Sequence, residues 1–98
     1  MSLDPVTWAW ERSCNGGPLA KLVLVCIASH TGADGIATVA LDRLSANTQA
    51  EPWMVRDAIA SLETQGLLDT ASRSFSPDGS KTLSGIYRLR MPSEGRRP

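Results

Sequence analysis

The apolar positions of this chain change period from one stretch to the next, and each change marks an element. From Leu19 to His30 they crowd together: Leu19, Leu22, Val23, Cys26 and Ile27 make one helical stripe, and Leu24 and Val25 leave the segment apolar almost all round. That pattern predicts a central, deeply buried helix over 19–30. Ile36-Ala37-Thr38-Val39 is short and β-branched and fits a small edge strand. Leu41 and Leu44, three apart, share one face of a short helix, and the polar Asn47-Thr48-Gln49 ends it. Pro52 suits the first turn of a further helix. Val55, Ala58, Ile59 and Leu62 then recur at i, i+3, i+4 and i+7. Gly66 stands where a left-handed helix stop is expected.

The ends of the chain complete the pattern. Asp4 and Pro5 are an N-cap and first residue for a short opening helix. In it Trp8 and Trp10 lie two apart and so face different directions. Either both pack on the core, or one turns inward and the other meets a second surface. Asn15-Gly16-Gly17-Pro18 reads as a loop. Leu67 and Leu68 begin a strand that runs to Phe75. Ser76-Pro77-Asp78-Gly79-Ser80 supplies a turn, and Thr82 to Arg90 returns with Leu83, Ile86, Tyr87 and Leu89 available for packing. Gly85 is a candidate bulge. Pro92 to Pro98 is a polar tail. The division is therefore 1–17 as an N-terminal helical segment and loop, 18–91 as the main domain, and 92–98 as a tail.

Composition narrows the function classes. At 98 residues the chain suits one small domain, and no apolar run approaches a membrane span of about 18 residues. The N-terminus lacks a basic-then-apolar leader pattern, so a cytoplasmic location is expected. Cys14 and Cys26 form no paired motif and His30 is the lone histidine, so neither a metal site nor a disulfide framework is implied. Cys26 reads as a small core residue, and His30 as a helix-end residue near free carbonyls. No triad spacing or phosphate-binding glycine loop is present: Gly16-Gly17 runs into Pro18 without a Lys-Ser/Thr. An enzyme is not expected, nor a cofactor or small-molecule ligand.

The net charge is zero, but it is unevenly spread. Residues 1–69 carry four basic against eight acidic groups, −4, and residues 70–98 carry six against two, +4. A basic surface is thus expected in the last third.

Two helices joined by a short turn are a helix-turn-helix, whose second helix can enter a DNA major groove. Several segments carry a more specific likeness. The run Ala20-Lys21-Leu22-Val23-Leu24-Val25-Cys26-Ile27-Ala28-Ser29-His30, then Asp34-Gly35, then Val39 to Leu44 follow in order. Val55-Arg56-Asp57-Ala58-Ile59-Ala60-Ser61-Leu62 leads to Gly66-Leu67-Leu68, and Thr82-Leu83-Ser84-Gly85-Ile86-Tyr87-Arg88-Leu89 closes the order. Over roughly residues 18–91 the chain resembles the winged helix-turn-helix domains of phage and plasmid replication proteins and related bacterial regulators. The resemblance implies an α+β fold: a three-helix core, a C-terminal β-hairpin wing and, here, a short N-terminal helix. It also implies sequence-specific binding of double-stranded DNA by a transcriptional regulator or a replication accessory factor. The chain departs from that family where Gln49 replaces a turn glycine, Glu51 replaces a Ser or Thr cap, and Pro52-Trp53-Met54 replace basic residues.

On this basis Arg56 is the candidate for a base edge, with Trp53, Asp57 and Ala60 on the same outward face. Asn47, Thr48 and Gln49 are candidates for phosphate oxygens, and Arg73, Ser80, Lys81 and Arg88 for the backbone beside the wing. A domain of this size makes few phosphate contacts, so a homodimer or a larger protein assembly is expected, with Trp8 and Trp10 as the dimer surface. The alternative is a protein-interaction module on the same scaffold, with Trp53, Met54 and Pro52 as an apolar hot spot and Glu51 disfavouring phosphate.

Overall fold

A computed structural model describes residues 4–32, 34–75, 77 and 82–91. In chain order these form α1 (Pro5–Glu11), α2 (Gly17–Ser29), β1 (Ile36–Ala40), α3 (Leu41–Thr48), α4 (Pro52–Thr64), β2 (Leu68–Phe75) and β3 (Thr82–Leu89). The fold is α+β: among the described residues, four helices pack with one three-stranded antiparallel sheet of order β1-β3-β2. None of these helices is long and apolar enough to cross a membrane.

Local chemistry sets the helix ends. Asp4 caps α1 by accepting from the Thr7 N–H at 3.0 Å, and Pro5 opens the helix. Pro18 falls in the first turn of α2, so that helix starts at Gly17, ahead of the expected Leu19. The end of α4 is a Schellman motif: Gly66, at φ +80°, donates to Glu63 O, and Leu67 donates to Leu62 O. α3 ends in the same way without glycine. Gln49 donates to Ala46 O and Ala50 to Ser45 O, and Gln49 is at φ +56°. Three residues, Gln49 to Glu51, then separate α3 from α4.

One core joins every element. Trp8 and Ala9 of α1 meet Val23, Leu24 and Ile27 of α2, Leu41 and Leu44 of α3, and Val55, Ile59 and Leu62 of α4 in a single buried cluster. Ala37, Val39, Leu68, Tyr87 and Leu89 close it from the sheet. The N-terminal segment is also tied down by polar contacts. Gln65, just past α4, accepts from Asn15 N at 2.8 Å and donates to Asn15 O at 2.8 Å, pairing with the α1–α2 loop as a strand would.

The structure corrects two expectations. The buried stripe of α2 is Ala20, Val23, Leu24, Ile27 and Ala28; Leu19, Val25 and Cys26 are half-buried, and Leu22 is 40% exposed. α1, α3 and α4 all pack on this helix, and the two alanines let neighbours approach closely. The second correction concerns Gly85. β3 alternates with Gly85, Tyr87 and Leu89 buried and Arg88 exposed, and its register against β1 is unbroken through Gly85. Two register shifts between β2 and β3 flank it without falling on it: one between Thr70 and Ser72, where Ala71 is the extra residue, and one between Ser74 and Phe75, where Leu83 is. Gly85 is glycine for another reason: a Cβ there would stand 2.4 Å from Cζ and from the hydroxyl of Tyr87.

Two substitutions test this account by urea denaturation. Gly85→Ala is expected to cost about 1–3 kcal/mol, because the displaced Tyr87 ring is buried and cannot swing into solvent. Gln49→Gly is expected to stabilise by about 1 kcal/mol by relieving a left-handed backbone.

Candidate nucleic-acid interface

The outward face of α4 follows from its inward one. Val55, Ala58, Ile59 and Leu62 are all buried, so the helix is pinned in rotation and the opposite positions face solvent. Trp53, Arg56, Asp57 and Ala60 are all exposed, Trp53 at 57%. Thr64 continues the same stripe, exposed, with its hydroxyl donating to Ala60 O at 3.0 Å. The helix is entered through Pro52, and Glu51 at its N-cap makes no side-chain capping bond.

The charged heads on this face are uncommitted. The positions three and four residues either side of Arg56 are Pro52, Trp53, Ile59 and Ala60, none of them acidic. Those around Asp57 are Trp53, Met54, Ala60 and Ser61, none of them basic. Neither residue forms an ion pair among the described residues. The face thus carries one free cation and one free anion beside an exposed indole.

The turn preceding α4 is less open than expected. Asn47 is exposed, but its amide donates to Cys26 Sγ at 3.3 Å. Gln49 is exposed and held in its left-handed conformation. Thr48 is not available: it is 8% exposed, and its hydroxyl donates to Leu44 O at 2.7 Å inside its own helix. A threonine within a helix satisfies its hydroxyl on the preceding turn, and this one lies on the core side. Arg43, exposed on α3 four residues before Asn47, is the cation that the sequence reading passed over; its i, i+4 spacing from Asn47 was the available signal.

On the sheet, Arg88 is exposed in β3, with Ile36 of β1 and Asp69 of β2 as its register partners. The Asp69 carboxylate pairs instead with Arg90, at 2.8 Å, where both side chains are about half exposed. At that exposure the pair is worth little. Arg73 has a register position opposite Gly85. Ser80 and Lys81 lie outside the described residues.

The two N-terminal tryptophans have opposite fates. Trp8 is 2% exposed and Trp10 57%. Placing both on a dimer surface is therefore corrected: Trp8 belongs to the domain's own core, with the Arg12 guanidinium 5.4 Å above its ring. Only Trp10 remains available to a partner. The other singled-out residues are structural. His30 caps α2 with Nδ1 2.9 Å from Cys26 O, and Cys14 and Cys26 are free, half-buried thiols. No group of three potential metal ligands occurs among the described residues.

Compared with protein-family models, curated proteins and solved structures, the chain matches none.

The assignment of the tryptophans predicts a large difference in unfolding free energy. Trp8→Ala should cost about 3–5 kcal/mol, as for other buried aromatics. Trp10→Ala should stay within about 0.5 kcal/mol for the isolated subunit.

Proposed function

We propose that this chain is a sequence-specific double-stranded DNA-binding protein of winged helix-turn-helix type, serving as a transcriptional regulator or as a replication accessory factor of a phage or plasmid. α4 enters the major groove, and the β2–β3 hairpin, with Arg88, lies against the sugar-phosphate backbone. The observation that carries this reading is the continuous exposed stripe Trp53, Arg56, Asp57 and Ala60, presented by a helix that is joined to its predecessor by three residues. Arg56 is suited to a guanine edge because its guanidinium is exposed and, among the described residues, pairs with no carboxylate. Arg43 on α3 and Gln49 in the turn, both exposed, supply phosphate contacts. The element order, with strands following the two helices, supports the winged arrangement suggested by the sequence resemblance. The protein acts in the cytoplasm and binds as a homodimer or within a larger assembly, since one domain of this size holds few phosphates.

A second reading is favoured by a specific observation. Trp53 is 57% exposed at the start of a helix whose outward charges cancel, which suits a protein-interaction surface on a scaffold that has given up DNA. The two readings differ in their response to salt. Fluorescence anisotropy on a duplex selected from a random library should show log affinity falling linearly with log salt, by about 0.9 per neutralised phosphate. Arg56→Ala should weaken that duplex by about 1–3 kcal/mol. Failure to enrich any duplex at low ionic strength would favour the interaction module.

A further inference from the structure

The outward stripe of α4 carries an acid, Asp57, midway along its length. At about 100° per residue, Trp53, Asp57, Ala60 and Thr64 fall within an arc of about 60°, and Arg56 lies about 100° round from Asp57. All five are exposed, and Asp57 lies about 30° from the direction opposite the buried stripe, against about 70° for Arg56. A helix that docks by this stripe brings the Asp57 carboxylate into the groove. Against phosphate oxygens it would be repelled, and among the described residues no cation forms an ion pair with it. The carboxylate only accepts hydrogen bonds. What compensates its loss of water must be a donor on a base.

We infer that Asp57 is a specificity-determining residue that selects cytosine by accepting a hydrogen bond from its N4 amino group. This rests on the DNA-binding reading above. Two bases offer amino donors in the major groove. On adenine the amino group sits beside the N7 acceptor, which repels a carboxylate; on cytosine no acceptor of the same base adjoins it. Arg56, on the flank of the stripe, reaches a guanine on a neighbouring pair, where O6 and N7 accept both arms of the fork. Ala60, one turn on and lacking bulk, leaves room for a thymine methyl. The preferred half-site therefore contains a cytosine and a guanine at closely spaced positions, and Asp57 excludes other bases by leaving its charge unmet.

The test uses the full chain and a randomised duplex library at low ionic strength, selected in parallel with wild type, Asp57→Ala and Asp57→Asn. Asp57 is exposed and without an ion pair among the described residues, and a circular dichroism melt checks that the variants keep the fold. Wild type should enrich a site with an invariant cytosine. Asp57→Ala should lose on the order of ten-fold or more of its preference at that pair, while binding arbitrary duplex more tightly. In the wild-type site, N4-methylcytosine, which removes the major-groove proton, should reproduce the loss, and it should have no effect on Asp57→Ala. If wild type and Asp57→Ala enrich the same fixed pairs, the cytosine assignment is overturned and DNA binding stands. If wild type enriches nothing, both fall; if Asp57→Ala then gains binding, the carboxylate is a repeller and not a reader.

Discussion

The rotational setting of α4 governs everything that this molecule can present to a partner. Val55, Ala58, Ile59 and Leu62 are buried in the common core, and burying four apolar side chains is worth several kcal/mol. Turning the helix by one position would expose part of that stripe and drive Arg56 or Asp57 inward without a counter-charge, which costs more. The exposed residues are thus held in place by residues they never touch. Two devices fix the ends of the helix: the Schellman closure at Gly66 and the short connection through Gln49. The face is presented rigidly, which suits a reader of a stiff, regular surface such as a duplex groove.

The N-terminal segment belongs to the same arrangement. Trp8 fills the core from α1, and the Gln65 side chain pairs in both directions with the backbone of Asn15. The C-terminal end of α4 is therefore anchored to the α1–α2 loop, while Trp53 near its N-terminal end is exposed. Gly16, at φ +104°, makes the anchoring possible: a Cβ there would stand 3.1 Å from Ser61 Oγ of α4.

What could be read from the sequence depended on how many neighbours each element has. α4 has one buried and one open face, so its period named both correctly, residue by residue. The strands were legible because turn residues separate two β-rich runs, and the small strand Ile36–Ala40 because it is β-branched and ends at a helix. α2 was misread in rotation because it is apolar nearly all round; a pattern without a polar face cannot say which side its neighbours occupy. Trp8 and Trp10 carry the same chemistry two residues apart, and only packing divides them. Thr48 looked like a surface hydroxyl because the residues around it are polar, but a helical threonine can bond to its own backbone. Ala71 gives no local sign that it is an inserted residue, since a bulge is a relation between two strands and not a property of one.

That inserted residue bears on how copies of the chain meet. The sheet has two outer margins. Along β1, Thr31 and Gly32 already form a bridge to Ala37 and a bond to Ile36. Along β2 no strand among the described residues covers the margin, but Ala71 breaks its regular ladder midway. A kinked margin is a poor template for a further strand, so the break guards against open-ended fibril growth at high concentration. Sheet extension along β2 is thereby disfavoured as a route of self-association.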